Sequence, residues 1–596
     1  MNRLLKTSIV CIAITSALSG CSLKTSNSAI DNNDAVAVKK MTQAQLANQI
    51  FSNYFQEAIE LSPVSGTYIG QSEYNDKFSA PISAESIAAN KALEQTYLTK
   101  IEAIDESQLT GQDLLSYKIF KRDRLLAINS FKFNSHYLPL NQMYGIHNAF
   151  ATLGSGQSAQ PFVTKKDYQN FVKRSDGFAL YMDSVIVSMR NGVSQGYVLP
   201  TPIIEKIIPQ LSVHLVEDIK DSVFYGPINM LATNEELSVL ISDVLIPTYR
   251  KFHAFIQNEY LPLGRASVGL SELPNGEEWY QHQIEVNTTL PLSAKEIHEF
   301  GLQEVARIRT EMTKVKQQLN FDGDLQAFFK YLIEDEKFYW KSEDEVVKAY
   351  SDVKDQINAK LPALFEVFPK ADYEVRAVES FRAASSAGAS YQSPAPDGSR
   401  PGIFYINTHN LKAQPKFLLE TLSIHEASPG HHFQISIQQE VDSLPMFRKF
   451  GGYTVFSEGW ALYAESLGKE MGMFTDPLQW YGRLSDEQLR AMRLVVDTGL
   501  HAFGWSREQA IQFMVDNSSL ALSDITAEVE RYISIPGQAL AYKTGQRAIR
   551  EMRNNAQQQL GDDFDVRKFH TQILTDGALP MPILAEKIQT WVDTQK

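Results

Sequence analysis

The stretch Thr421–Gln434, TLSIHEASPGHHFQ, gathers the residue types of a metal-assisted hydrolase: His425, Glu426, His431 and His432. Imidazoles ligate a divalent ion, and a glutamate beside a ligand histidine can take the proton of an activated water. In an HExxH helix the two histidines are four apart, about 40° out of phase, and both reach one ion. Here the second histidine comes late and doubled. On an unbroken helix His432 falls about 20° from the phase of His425, and His431 about 120° away. His432 is therefore the expected partner of His425, with His431 as the alternative. Pro429 interrupts the span: it cannot donate to the carbonyl of His425, and its ring crowds that carbonyl. The helix must kink or bulge there, and a bulge can change which histidine is in reach.

Zinc needs a third protein ligand and an open position for water. The mature chain offers no thiolate, because its two cysteines are Cys11 and Cys21, both at the N-terminal end. Any zinc must then be held by histidines and carboxylates. FSEGWALYAESLG (456–468) supplies Glu458 and Glu465 on one face of an expected helix, about 10 Å apart along its axis, so one ion can use only one of them. Trp460, Leu462 and Tyr463 mark this helix as core, and a carboxylate held in a core requires a partner. His425, His432 and Glu458 as ligands, with Glu426 as general base, complete a zinc site. RLVVDTGLHAFGW (493–505) adds Asp497 and His501 four apart, which reads as a buried hydrogen-bonded pair or as a pair orienting ligands or substrate. Lys543 and Arg547 stand one turn apart and could receive a peptide carboxylate, or could simply be surface cations.

The elements that must position these groups are mostly helical. Segments 42–61, 165–192 and 293–319 place apolar residues three and four apart. Ser293 and Glu296 form an expected capping box at the start of the last of these. One stretch is not helical: ASYQSPAPDGSRPGIFYINT (389–408) reads as a β-hairpin around a Pro/Asp/Gly turn. A hairpin beside the HE segment, carrying Tyr405 and Asn407, could pair with an extended peptide or merely cover the core. Turn-rich residues 273–293 suggest a soft junction between two helical halves of one catalytic domain, 41–596.

HEASPGHHFQ, EGWALYAE and RYISIPGQALAYKTG (531–545) together resemble the bacterial lipoprotein family catalogued as a domain of unknown function, DUF885. More distantly, the order of parts is similar to the helical gluzincin zinc peptidases of the angiotensin-converting-enzyme, thimet-oligopeptidase and thermostable-carboxypeptidase kind. That resemblance implies a large, mainly α fold with a deep central cleft and a small hairpin or sheet beside the active-site helix. It implies Glu458, in Phe456-Ser457-Glu458, as third ligand. Tyr532, in Arg531-Tyr532, would be the tyrosine that stabilises the transition state, with Tyr542 as runner-up. The insertion carrying Ser428-Pro429-Gly430 departs from the peptidase pattern, and a histidine that pattern holds shortly before the tyrosine has no counterpart here.

The N-terminus fixes the expected location. MNRLLK is a basic n-region, TSIVCIAITSAL an apolar stretch too short to remain as a membrane span, and LSGC places Cys21 where a lipoprotein signal (residues 1–20) is cut and acylated. Ser22 after the cysteine favours the outer membrane of a Gram-negative envelope by resemblance to bacterial lipoproteins, and 21–40 reads as a flexible tether. The net charge of −14 becomes −16 when Arg3 and Lys6 leave with the signal. So acidic a chain is not expected to bind nucleic acid or anionic lipid surfaces. The sequence thus predicts a lipid-anchored zinc peptidase acting on short peptides. A zinc hydrolase of a non-peptide amide, or a non-catalytic binding protein on the same fold, stands as the alternative.

Overall fold

The computed structural model describes residues 41–596 except 231–234, 380–382, 384–386, 395–397 and 399. Signal, tether and Cys21 lie outside the described residues. Helices begin where capping chemistry starts them. Glu296 N donates to Ser293 Oγ at 3.2 Å and Ser293 N to Glu296 Oε2 at 2.8 Å, closing the expected box ahead of the Ala294–Gln318 helix. Thr164 and Asp167 do the same for Lys165–Ser194. Residues 273–293 contain a helix, Gly276–Thr288, entered through Asn275 and left through Thr289, both in left-handed backbone with φ of 56° and 59°. Those two ends account for the turn signals in a segment that is helical between them.

Gln43–Lys596 forms one compact unit, mainly α, with a single three-stranded sheet among the described residues. Its axis is the Pro477–Ala502 helix, capped by the Asp476 carboxylate on Leu478 N and buried almost continuously from Tyr481 to His501. Ala294–Gln318 lies along it, closest at Gly301, where a Cβ would stand 2.8 Å from the Leu494 Cβ. A second pair, Thr454–Ser466 and Ala541–Leu560, meets through Gly459 and Gly545: a Cβ on Gly459 would be 2.6 Å from the Gly545 Cα. That approach closes a second core around Trp460, Tyr463, Phe433 and Ile549.

In the sheet, β1 (Tyr373–Ala377), β2 (Ala389–Gln392) and β3 (Gly402–Ile406) run in the order β1-β3-β2. β2 and β3 form the expected antiparallel hairpin, with Ala389 opposite Ile406 and Gln392 opposite Ile403. β1 adds in parallel on the other side of β3. β3 is buried along its whole length, which is why GIFYI reads as an unbroken apolar run. β2 is left as an edge, and it packs against the HE segment and the helix that follows.

Candidate metal centre

The HE segment is neither a straight helix nor a simple kink. Ser423–Ala427 forms one widened, π-type turn. Ser428 is extended (φ −119°, ψ 132°), Gly430 turns with ψ −127°, and a new helix starts at His431 and runs to Gln439. Gly430 is required by the closeness of this return: a Cβ there would lie 1.9 Å from the His425 carbonyl oxygen. Trp460 Nε1 donates to the Pro429 carbonyl at 2.8 Å and fastens the bulge to the neighbouring helix.

The break resets the helical phase, and the structure does not bring the expected pair, His425 and His432, together. His431, not His432, joins His425: ligand atoms of His425, His431 and Glu458 all lie within 4.8 Å of one another. The two rings are 4.8 Å apart between centroids and nearly perpendicular. His432 points away into the sheet side, its Nδ1 2.8 Å from the Tyr391 hydroxyl of β2. Gly402 of β3 leaves room for that contact, since a Cβ would stand 2.9 Å from the His432 Nδ1. Burial pushes the His432 imidazolium down to about 4, so this ring is a neutral strut between hairpin and helix.

His425 Nε2 and His431 Nε2 each lie 3.5 Å from the same Glu458 oxygen, Oε2. Ligand atoms held tetrahedrally at zinc–ligand distances stand about 3.4 Å from one another, so the spacing suits a shared ion. It is long for direct hydrogen bonds. Glu458 Oε2 is buried and has no hydrogen-bond partner among the described residues, and His431 Nδ1 is likewise unmatched. Two imidazoles and a carboxylate with a buried, unmatched oxygen fit zinc. Burial opposes ionisation of Glu458, but the pull of His431 and His425 holds it well below the usual carboxylate range.

On its other side His425 Nδ1 meets Glu465 Oε1 at 2.7 Å, and the Thr421 hydroxyl donates to Glu465 Oε2 at 3.0 Å. Glu458 and Glu465 thus address the two nitrogens of one ring. A carboxylate behind a ligand histidine fixes the ring and its tautomer. Glu426 is half-buried, and its carboxylate makes no hydrogen bond or ion pair among the described residues. Its electrostatic neighbour is the buried Tyr350, whose hydroxyl is unmatched.

The remaining expected residues have other duties. The Tyr532 hydroxyl donates to Glu528 at 2.5 Å and accepts from Arg493 Nε at 3.2 Å. The Tyr542 hydroxyl accepts from Arg531 at 3.4 Å, and the Arg493 guanidinium lies 4.4 Å from its ring centre. Tyr405 is in the central strand with its hydroxyl 3.4 Å from both Glu379 and Gln392. Asn407 shapes the turn after β3, donating to the Ala383 carbonyl at 2.7 Å and accepting from His409 N. His501 and Asp497 do not bond one another. His501 accepts from Leu270 N and meets the Tyr532 carbonyl, each at 3.0 Å, while Asp497 accepts from the Tyr280 hydroxyl at 2.5 Å and from Gly537 N. Lys543 is no receptor for a peptide carboxylate: it is buried against Glu487, Glu304 and Gln546. Arg547 pairs with Glu551 at 2.7 Å.

Sequence reasoning missed the rest of the buried charged row of the central helix, Arg483, Asp486, Glu487, Arg490 and Arg493, which runs on to Asp497. Asp486 groups with His425 and Glu465 within 4.8 Å, and Arg490 is its ion-pair partner. The signal was present, as charges every third or fourth residue, but that spacing usually marks a solvated face.

Residues 63–588 match the sequence profile of DUF885, described as a bacterial protein of unknown function, and the chain belongs to that family. Two solved structures share the fold. One, described as "the putative lipoprotein from Colwellia psychrerythraea", superposes with a TM-score of 0.85 at 29% identity, covering 93% of this chain and all of that one. The other, "a putative lipoprotein of unknown function from Shewanella oneidensis", gives 0.74 at 20% identity over 92% of this chain and all of that one. No curated protein matches the chain.

Proposed function

We propose that the protein is a zinc-dependent hydrolase of short peptides, held in the bacterial cell envelope by a lipid on Cys21. The observation that carries this reading is the convergence of His425, His431 and Glu458 ligand atoms, with Glu465 behind His425 and an unengaged Glu426 carboxylate on the adjoining residue. Zinc bound there would acidify a water and polarise a substrate carbonyl. Glu426 takes the proton of the attacking water on a carboxylate oxygen and returns it to the leaving amine. Glu465 and Thr421 hold the His425 ring in place throughout.

The Tyr532 proton is already given to Glu528, so Tyr542 is the better candidate to donate to the developing oxyanion. Its hydroxyl accepts from Arg531 and donates to no described residue, and its ring lies against the Arg493 guanidinium. The edge strand β2 beside the HE segment offers backbone groups to an extended substrate. The signal ending LSGC and the lipoprotein descriptions of both structural relatives support the envelope location.

The test is digestion of a mixed peptide library by zinc-loaded protein, read by mass spectrometry, with Glu426→Gln as control. Cleavage by the wild type and not by the variant supports the reading. Peptides left intact by a protein that binds zinc would favour a non-peptide amide as substrate.

A further inference from the structure

The molecule holds a second concave site that shares no residue with the metal cluster. It is a half-open cavity of about 370 Å³ lined from residues 135–144, the start of the Thr201–Ser212 helix, the helix Gly276–Thr288 and residues 533–538. Its volume is in the range of small-molecule sites. Leu140, Ile203, Leu273 and Trp279 make the walls apolar, and Asn141, Gln283 and Asn287 supply neutral amides. No Asp or Glu lines it, and Arg265 is its single cation.

Arg265 is held in one orientation by backbone. Nε donates to the Val198 carbonyl at 2.9 Å, and Nη1 to the carbonyls of Ser267 at 2.9 Å and Gly269 at 2.7 Å. Nη2 has no hydrogen-bond partner, and the guanidinium no ion-pair partner, among the described residues. Burial pulls its pKa down to about 10, against the weaker opposing charge of exposed Glu272. A fixed, half-buried cation without a counter-ion is costly, and an incoming anion would relieve that cost.

More of the lining is fixed by the two residues the sequence singled out and the metal site does not use. His501 ties Leu270 N to the Tyr532 carbonyl, and Asp497 ties Tyr280 to Gly537 N. These bonds pin both sides of the cavity at a set distance, the kind of preorganisation a ligand site needs.

We propose that this cavity binds a small apolar carboxylic acid, its carboxylate on Arg265 Nη2 and its apolar body against Trp279 and Ile203, with a neutral amide matched by Gln283 or Asn287. N-acyl amino acids belong to this class. The inference does not depend on the metal centre.

The experiment is calorimetric titration of protein stripped of divalent ions by a chelator, so that no carboxylate can bind through a metal. The probes are N-acetyl-leucine and its carboxamide. The acid should bind at least tenfold more tightly than the amide. Arg265→Gln should bring acid binding down to the amide's level without changing the amide, and Ile203→Trp, which fills the cavity, should abolish both. Equal binding of acid and amide to the wild type, or no binding of either, overturns the proposal without any variant. Undiminished acid binding by a folded Arg265→Gln protein, checked by its melting curve, overturns it too.

Discussion

Asp486 and Glu487 are neighbours on the central helix and look into two different buried clusters. Glu487 is fully matched: Oε1 accepts from Lys543 and from Arg307 at 2.9 Å, Oε2 from Arg483, and Lys543 also meets Glu304 at 2.8 Å. Around Asp486 the matching is incomplete. Asp486 Oδ2, Glu458 Oε2, His431 Nδ1 and the Tyr350 hydroxyl are all buried without a hydrogen-bond partner among the described residues. Both clusters carry the desolvation cost of charge, and Arg483 Nε in the first also lacks a partner, but the two unmatched carboxylate oxygens, Asp486 Oδ2 and Glu458 Oε2, are in the second. The matched cluster is scaffold. The unmatched one includes His425, His431 and Glu458, the residues proposed to hold zinc.

Substitutions can break this contrast in decreasing order of effect. Glu426→Gln should lower peptide hydrolysis by about a hundredfold or more while zinc content and melting temperature stay unchanged, because it removes only a proton acceptor. Steady-state rates alongside metal analysis check this. Glu487→Gln should do the opposite: a loss of about 3 kcal/mol of stability in urea unfolding, chiefly from buried Arg483, which has no other ion-pair partner among the described residues, with zinc retained. If that variant instead lost zinc and kept its stability, the division into scaffold and site would fail.

Glu465→Gln should fall between the two. The His425 ring would lose its charged support, weakening zinc binding by roughly 10- to 100-fold in competition with a chelator. The smallest effect concerns Asp497, whose carboxyl is pushed up to about 7 by burial, against the hydrogen bonds from Tyr280 and Gly537. The folded state therefore keeps a proton that the unfolded chain releases near its ordinary value of 3.8, and stability declines as pH rises from about 4 to about 7. Asp497→Asn should flatten that decline in a pH series of melting curves; an unchanged slope would show that Asp497 does not titrate in this way.

Much of the frame was legible from local chemistry. The Ser293–Glu296 box, the 389–408 hairpin and the core character of Trp460 and Tyr463 follow from short-range rules, and the structure has them. The choice between His431 and His432 was not legible, because phase arithmetic holds only along a continuous helix, and Ser428 to Gly430 replace a turn with extended backbone. Lys543 was misread, and most of the charged row of the central helix missed, for a related reason. Whether a charge is solvated or buried in a network depends on partners such as Glu304 and Arg307, far away in sequence. β1 escaped notice because YEVRA alternates like many surface segments and acquires its identity only from pairing with β3.

The central claim is that the interrupted helix brings His425 and His431 to Glu458 of the neighbouring helix, where the three would hold one zinc ion. Metal content after zinc loading and gel filtration, measured on the wild type, His431→Ala and His432→Ala, tests it most directly. The account predicts about one zinc per chain in the wild type, a marked loss in His431→Ala, and near-complete retention in His432→Ala. A wild type without zinc, or a loss confined to His432→Ala, would contradict it.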